Sequence, residues 1–335
     1  MEDTSGQENI LIQKITTWCH KTHTPQTLLG VGDDAAAIFP SGRPLLMCSD
    51  MMLEGQHWAG DLLSPADIGH KSLARCLSDI AAMGGRPLGV TISIALSKSL
   101  GTKGQDDFLT GFYNGASALS IKYHAPLIGG DLSQIDGPTA IDVAIVGELF
   151  PEGSPWRRSG ARPFDLAFVS GPLGAAALAY LEPKTAPATA LQKLRRPEPR
   201  LDLAEALHVQ SINSVIDISD GLLMDANRIC QASGVGLILD AEKIPRAPVL
   251  ANRTDTLELA VTGGDEYELL ISIPDGWARC EYGKSVIQKH GLIEIGHFVG
   301  MSQLKANTPL VQVIDRDGQS LHFKQTGHDP FKETR

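Results

Sequence analysis

The sequence predicts a mixed α/β or α+β protein built from two domains. Its 335 residues are enough for two domains of ordinary size. Alternating, β-branched apolar runs, most clearly LGVTISIAL at 88–96, indicate strands, and segments with helical apolar spacing lie between such runs. The two kinds of segment alternate without a strict βαβ repeat, so both arrangements stay open. The turn-rich PEGSP at 151–155 predicts a boundary between an N-terminal domain, 1–150, and a C-terminal domain, 151–335.

The N-terminal half is predicted to contain helices separated by strands. Apolar residues recur at helical spacing from Ile68, and the glycine pair 84–85 followed by Pro87 predicts the end of that helix. The same reasoning predicts further helices at 8–20 and 106–123, and strands at 44–48, 88–96 and 140–149.

The C-terminal half is predicted to alternate between strands and helices around one proline-rich stretch. Residues 182–200 end in RRPEPR and are predicted to form a loop. From Ser214 onward the pattern gives a strand, a turn and a helix in succession. Other strands are predicted at 166–170, 234–240, 294–299 and 310–314, and helices at 171–181 and 201–209.

Composition and charge exclude several functional classes. A net charge of -10 argues against a nucleic-acid surface, which needs clustered Lys and Arg. The five cysteines show no C-x-x-C spacing, so we expect reduced thiols and no zinc site. The polar, acidic N-terminus is not a signal peptide, and no apolar run approaches the ~18 residues of a membrane span. We therefore expect a cytoplasmic protein.

Acidic residues flanked by Gly or Ser follow the apolar runs. They occur in VGDD at 31–34, CSD at 48–50, IGGD at 128–131, DISDG at 217–221 and TGGDE at 262–266. Each alone is more typical of a plain turn, because Gly reaches positive φ and Asp bonds its own backbone. If the strand ends converge, however, six or more carboxylates would meet in one place and repel each other without counter-ions.

Asp79 raises the same question near the C-terminal end of its predicted helix. The helix dipole favours cations there, so a carboxylate needs a partner. An i,i+4 ion pair with Arg75 is the ordinary explanation, and a bound cation is the alternative. Mg²⁺ prefers hard oxygen ligands and bridges carboxylates to phosphates, which would let an acidic protein bind a polyphosphate. The chemistry that follows is phosphoryl transfer, where positioning and charge neutralisation do most of the work.

Other motifs are absent or ambiguous. There is no P-loop, no protein-kinase motif set and no G-x-S-x-G, and a dinucleotide fingerprint at 30–35 would put two acids where a pyrophosphate must lie. His57 beside Trp58 could contact a ring substrate or simply pack in a loop. The arginines of WRRSGARP at 156–163 could contact phosphate, although a solvated face is the ordinary explanation. Those of RRPEPR at 195–200 are interleaved with prolines, and we expect them to be structural.

Taken in order, these segments resemble the thiamine-monophosphate kinases, which belong with the aminoimidazole ribonucleotide synthetases. The resemblance covers roughly residues 8–331. It rests on the joint order of GVGDDAA, SDMMLEGQHW, IGHKSLARCLSDIAAMGGRP, GGDLS, RRSGARP, RRPEPR, DISDGLLMD and GGDEYELL. It implies a homodimer of two-domain subunits that meet through strand-rich N-terminal domains. It also implies ATP and several Mg²⁺ ions, with transfer of the γ-phosphoryl group of ATP to the phosphate of thiamine monophosphate.

The resemblance also implies roles for individual residues. The implied metal ligands are Asp33, Asp34, Ser49, Asp50, Asp79, Asp131, Asp217 and Asp220, of which Asp79, Asp131 and Asp220 would be catalytic. The residues implied around ATP are Tyr113, Gly130, Asp131, Arg158 and Ser219. The acceptor would be contacted by His57, Asp265 and His328. No side chain need act as a strong base, because the acceptor phosphate is already ionised.

Three departures from the family pattern concern the acceptor more than the metal. The family usually reads GGED-Y, whereas this chain has Asp265 before Glu266, so either acid could face the acceptor. Gln134 stands where an Arg is common, and His328 stands where an aromatic residue is expected. Two rival functions therefore stay open: an ATP-dependent relative with another small acceptor, and a nucleotide-binding relative without catalysis.

Overall fold

The computed structural model describes residues 7–29, 37–58, 62–304, 308–324 and 326–328. The chain forms two compact units. The N-terminal unit is Met1–Ile80 with Gly85–Pro151, and the C-terminal unit is Ala81–Gly84 with Glu152–Arg335. Each unit has its own sheet covered by helices, which confirms the predicted mixed α/β class. Among the described residues, every helix is too short or too polar to serve as a membrane span.

The N-terminal unit is a four-stranded sheet with helices. The described elements in chain order are α1 (Gln7–His20), β1 (Thr27–Leu29), β2 (Ala37–Ile38), β3 (Leu45–Leu53), α2 (Pro65–Ala82), β4 (Gly85–Ser97), α3 (Gly101–Lys122), β5 (Leu127–Ile135) and β6 (Ala140–Leu149). Strands β1 and β2 pair separately, and the large sheet has the order β3-β6-β4-β5, in which only β4 and β5 are parallel.

The two faces of this four-stranded sheet differ. On β4 the side chains of Ile92, Ile94 and Leu96 are fully buried, whereas the alternate residues Ser93 and Ala95 are half-buried. Successive side chains on a strand point to opposite faces, so one face belongs to the core and the other, which we call the open face, does not. On edge strand β3 the open face carries exposed apolar side chains.

The C-terminal unit is built on a seven-stranded sheet of order β13-β12-β9-β11-β7-β10-β8. Its elements are β7 (Leu166–Val169), α4 (Ala175–Leu181), α5 (Ala188–Arg195), α6 (Leu201–Leu207), β8 (Ser214–Ile218), α7 (Leu222–Ser233), β9 (Val235–Asp240), α8 (Thr256–Thr262), β10 (Glu268–Ile273), α9 (Asp275–Arg279), α10 (Glu281–Lys289), β11 (Ile293–Gly300), β12 (Val311–Ile314) and β13 (Ser320–Leu321). Strands β7, β8 and β10 are buried along their whole length and form the centre of the core.

One prediction about elements was confirmed with a shifted start, and two were wrong. The helix predicted from Ile68, with its end at the glycine pair 84–85, runs from Pro65 to Ala82, and Gly84 adopts a φ of 71° just before β4 begins. The strand predicted at 44–48 continues to Leu53. The stretch 182–200, predicted as a loop, contains α5, whose Ala190 and Leu194 are buried on one face.

Candidate active site

Asp131 lies on the open face of the N-terminal sheet, within β5 and not at its end. The register places it beside Ser93 on β4, and Ser93 in turn lies beside Asp142 on β6. These three residues line a pocket of about 180 Å³ together with Met51 of β3. Gly130 precedes Asp131 at a φ of 154°, where a Cβ atom would overlap the carbonyl oxygen of Ile92. The missing side chain at Gly130 is therefore what lets β5 approach the backbone of β4 this closely.

Asp50 and Asp79 lie together on the opposite face of that sheet. Asp50 precedes Met51 on β3 and so points toward helix α2, where the guanidinium of Arg75 is 3.6 Å from its carboxylate. Asp79 lies in the last turn of α2. Hydrogen bonding to Cys48 and burial raise the pKa of the Cys76 thiol, and the nearby carboxylates of Asp50 and Asp79 raise it further.

The expectation that Asp50 and Asp131 follow strand ends was therefore wrong, whereas Asp79 lies near the end of a helix as predicted. Asp50 and Asp131 are inside long strands, because the Ser and Gly residues before them continue the ladder and do not form a turn. Asp33 and Asp34 lie outside the described residues. Within the described ranges, no three His, Cys, Asp or Glu side chains are grouped closely enough to hold a metal ion.

Two further predicted ligand residues are fixed by local contacts. His57 is held by the N–H of Leu53, which donates to Nδ1 at 3.0 Å. The proton of the neutral ring is then on Nε2. Tyr113 is buried, with its ring stacked on Trp18 at a centroid distance of 5.2 Å, and burial raises the pKa of its hydroxyl. Tyr113 is therefore a core residue of the N-terminal unit.

In the C-terminal unit, the DISDG turn carries three predicted site residues at the end of β8. Asp217 is buried within the strand, while Ser219 and Asp220 follow it in the turn. The carboxylate of Asp220 is 2.6 Å from the guanidinium of Arg228 on α7. Asp225, also on α7, is fully buried against the same turn. Burial and the neighbouring Asp217 carboxylate raise the pKa of Asp225 to about 7.

The loop between α8 and β10 separates the two acids whose order departs from the family. Asp265 is half-buried at a φ of 61°, and its carboxylate accepts the hydroxyl of Tyr267 at 2.7 Å. Glu266 is fully buried, and its Oε1 accepts the N–H groups of Gly174 and Ala176 at 2.8 and 3.2 Å. Burial raises the pKa of Glu266 to about 7. Of these two acids, only Asp265 is accessible to a ligand.

His328 is brought to the same turn by its backbone. Its N–H donates to the carbonyl of Asp220 at 2.8 Å, and its side chain is exposed. The N–H of Asp265 donates to the carbonyl of Ser219, also at 2.8 Å. The structure thus brings Asp220, Ser219, Asp265 and His328 together, although they come from three separate segments of sequence.

A buried ion-pair network lies next to this loop. The carboxylate of Glu268 accepts two hydrogen bonds from Arg200 at 2.7 Å, one from Lys193 at 2.6 Å and one from the hydroxyl of Ser170 at 2.6 Å. Burial alone would raise the pKa of Glu268, but Lys193 and Arg200 lower it below the usual range. Arg200 of RRPEPR is therefore structural here. Arg158 is exposed, and its carbonyl is held by the hydroxyls of Ser214 and Ser233.

Sequence reasoning missed several residues of this arrangement. Asp142 gave no signal because it alternates within a strand like any exposed residue. Lys193 acts through Glu268, which is distant in sequence. Tyr267 acts through Asp265 two residues before it, and the GGDEYELL segment alone did not single it out. Asp225 was detectable in principle, because an acid in the first turn of a helix is well placed to accept the free N–H groups there. Arg228 lies three residues later and pairs with it.

Comparison with known proteins gives matches along most of the chain. Residues 32–149 match the N-terminal domain of the AIR synthase related proteins, and residues 166–306 match the C-terminal domain of the same group. The chain is 32% identical over 318 residues to the thiamine-monophosphate kinase of Salmonella typhimurium, which covers 90% of this chain and 91% of the relative.

Solved structures give the same result. A thiamine-monophosphate kinase from Stenotrophomonas maltophilia K279a superimposes with a TM-score of 0.77 at 29% identity, covering 95% of this chain and 98% of that one. AaThiL in complex with AMPPCP and TMP gives a TM-score of 0.71 at 28% identity, covering 95% and 96% of the two chains. The similarity therefore extends over both units.

The Glu268 network generates a prediction about stability and pH. In Glu268→Gln, Lys193 and Arg200 lose their shared carboxylate, and we expect a loss of about 3–5 kcal/mol in the free energy of unfolding at neutral pH. The pKa of Glu268 is lower in the folded state, so its stabilisation is present above the unfolded pKa of about 4.3 and disappears as the pH falls through the folded pKa. The difference in the free energy of unfolding between wild type and variant, measured by chemical denaturation, should become smaller below about pH 4.

Glu294→Gln is the matched control, because Glu294 also has a lowered pKa and two cationic partners but is only partly buried. Its loss should stay below about 1 kcal/mol. Equal losses in the two variants, or a gap for Glu268→Gln that does not change with pH, would contradict the prediction.

Proposed function

We propose that this chain, which belongs to the thiamine-monophosphate kinase family of the AIR synthase related proteins, transfers the γ-phosphoryl group of ATP to thiamine monophosphate. The products are thiamine diphosphate and ADP. The observation that carries the proposal is the match to thiamine-monophosphate kinases along both units, including a relative solved with AMPPCP and TMP. The grouping of acceptor and phosphate residues around the DISDG turn supports it.

The proposed metal ligands are suited to Mg²⁺ by their chemistry. They are all hard oxygen donors, and the set is Asp33, Asp34, Ser49, Asp50, Asp79, Asp131, Asp217 and Asp220. Asp50 and Asp79 already share one face of the sheet around Cys76. Asp217 and Asp220 both act on the pKa of Asp225, so these two lie close together as well. When bound, Mg²⁺ would neutralise the charge that develops on the transferring phosphoryl group.

Four residues besides the acids are proposed to position ATP. Gly130, which precedes Asp131, keeps its place in this set from the resemblance, and Ser219 lies in the same turn as Asp220. The exposed guanidinium of Arg158 can pair with a phosphate. Tyr113 keeps its place in this set only from the resemblance, because its ring is buried in the core.

The acceptor is proposed to meet Asp265, His328 and His57. The carboxylate of Asp265 is held by Tyr267 and complements the cationic thiazolium ring of thiamine. Glu266 is assigned no contact with the acceptor, because both Oε1 bonds anchor it at the start of α4. Asp265 therefore takes the acceptor-facing position despite its shorter side chain.

We also propose a homodimer formed through the open face of the N-terminal sheet. Edge strand β3 exposes Leu45, Met47 and Met51 on this face by 54%, 80% and 52%. On this face the neighbouring β6 carries Ala144 and Val146, with Asp142 farther along the strand. Exposure of this apolar strip to water is unfavourable, and a second copy of the chain would bury it. The proposed cellular location is the cytoplasm, consistent with five free cysteines.

The metal-dependent function is tested with Asp79→Asn. Wild type should form thiamine diphosphate from ATP and thiamine monophosphate with Mg²⁺ and form none with EDTA. The variant should lose about a hundredfold or more of kcat/KM, since one metal carboxylate is removed. The rise in Tm caused by Mg²⁺ should also shrink.

Asp136→Asn is the control, because Asp136 is an exposed aspartate of the same unit that pairs with Lys98. It should behave like wild type. ATP turnover without thiamine diphosphate would reject this acceptor in favour of another small molecule. If the protein bound nucleotide but turned over no ATP, the result would favour a non-catalytic relative.

The assignment of Asp265 is tested against Glu266. Asp265→Asn keeps an oxygen for Tyr267 and removes only the charge, so KM for thiamine monophosphate should rise about tenfold while KM for ATP stays unchanged. Glu266→Gln should mainly lower Tm. The opposite pattern, with the acceptor KM altered only in Glu266→Gln, would reverse the assignment.

The dimer is tested by Met47→Glu. A charge at the most exposed apolar position of β3 should prevent burial of the open face, so sedimentation should show a dimer for wild type and a monomer for the variant. Met301→Glu is the control, since Met301 is also half exposed but lies in the C-terminal unit. A wild-type monomer, or a Met47→Glu dimer of unchanged affinity, would rule out this interface.

A further inference from the structure

Asp225 is a fully buried carboxylate that has no role in the proposed phosphoryl transfer. Its Oδ2 accepts the consecutive N–H groups of Ser219, Asp220 and Gly221 at 3.1, 3.0 and 3.1 Å. Its Oδ1 accepts a hydrogen bond from Arg228. One side chain thus holds all three amides of the turn that carries Ser219 and Asp220.

The carbonyls on the same stretch bond the two segments that carry Asp265 and His328, which we call the acceptor segments. The carbonyls of Ile218, Ser219 and Asp220 accept the N–H groups of Tyr267, Asp265 and His328, each at 2.8 Å. Along this stretch, the peptide N–H groups therefore bond Asp225, and the peptide C=O groups bond the acceptor segments.

Two glycines show how closely these segments approach the turn. A Cβ atom at Gly264 would lie 2.7 Å from the Ser219 carbonyl oxygen, and one at Gly327 would lie 2.6 Å from that of Asp220. Both acceptor segments are therefore packed directly on the turn. A shift of the turn must shift Asp265 and His328 with it.

Arg228 connects Asp225 to the Asp220 side chain as well. Its guanidinium pairs with the Asp220 carboxylate at 2.6 Å and with Asp225. Asp225 therefore fixes the backbone of the turn directly and the direction of the Asp220 side chain through Arg228.

We infer that Asp225 is a positioning residue that sets the phosphate-side residues Ser219 and Asp220 and the acceptor-side residues Asp265 and His328 in one geometry. The inference rests on the proposed function for the roles of these four residues. It adds that both substrates depend on one buried carboxylate that touches neither of them.

The alternative is that Asp225 only stabilises the start of α7, as an acid in the first turn of a helix ordinarily does. The two roles differ in reach. A purely local role ends at residues 219–221, whereas a positioning role extends to residues 264–267 and 326–328.

Asp225→Asn is the test variant and Asp165→Asn its matched control. The Asn amide would place an NH₂ group against Arg228, and its neutral oxygen would hold the three N–H groups more weakly. Asp165 is also buried and accepts a backbone N–H and the hydroxyl of Ser272, but it lies at the opposite end of the β8–β10 pair. Both variants lose a buried charge in the C-terminal unit, and only Asp225 bonds the turn.

Amide hydrogen exchange provides a readout that does not require activity. In Asp225→Asn, exchange should be about tenfold faster at residues 219–221 and also at Asp265, Tyr267 and His328. In Asp165→Asn these amides should keep their wild-type rates. Acceleration confined to 219–221, or the same acceleration in Asp165→Asn, would overturn the inference.

Steady-state kinetics provides the second readout. Asp225→Asn should lower kcat/KM about tenfold for ATP and for thiamine monophosphate, whereas Asp265→Asn affects the acceptor alone. A loss for only one substrate would overturn the inference. If wild type made no thiamine diphosphate, the proposed function would fail, and the exchange rates would still decide whether Asp225 orders both segments.

Arg228→Met covers the case in which Asp225→Asn does not fold. It leaves the three N–H bonds to Oδ2 in place and removes the link to Asp220. We expect lower kcat/KM for ATP with a smaller rise in exchange at residues 219–221. If this variant kept the exchange rates and kinetics of wild type, the inferred role of Arg228 in directing the Asp220 side chain would be overturned.

Discussion

The buried carboxylates at one end of the β8–β10 pair are the constraint on which the C-terminal unit depends. Asp217, Asp225, Glu266 and Glu268 are all shielded from water there. Burying a negative charge is unfavourable unless donors surround it, and like charges close together add repulsion. Glu268 has two cationic side chains bonded to it. Asp225 is stabilised by three backbone N–H groups together with Arg228, and Glu266 accepts two backbone N–H groups. The need to satisfy these charges therefore helps to determine where the loops of the site lie.

Much of the fold could be predicted from the sequence where one signal was strong. Strand β4 was predicted at 88–96 and spans Gly85–Ser97, because its alternation is regular and both faces are distinct. The prediction failed where Gly, Ser or Pro had two possible meanings. Gly129, Gly130 and Ser49 continue strands here although such residues usually mark turns. The prolines around 182–200 flank helix α5 and do not prevent it. Local composition cannot distinguish these cases, because the partner strand or the core decides them.

The candidate site shows the same division. Motif order was sufficient to select Asp220, Asp265 and His328, and the structure brings them together. The choice between Asp265 and Glu266 could not be made from sequence, because it depends on the N–H groups of α4, which lie about ninety positions earlier in the chain. Nor could sequence spacing show that Asp50 and Asp131 occupy opposite faces of one sheet, because that follows from strand register.

The three carbonyls of the DISDG turn also have a consequence for how the chain folds. They are paired with segments that follow much later in the sequence, the last of them at His328 near the C-terminus. Contacts of such large sequence separation form slowly, because a long loop must close before they return any free energy. During synthesis, the turn can form and take up Asp225 well before the residues that complete it have left the ribosome. A competent acceptor site would then be among the last features of the C-terminal unit to appear, and a truncated chain would retain most of the core without it.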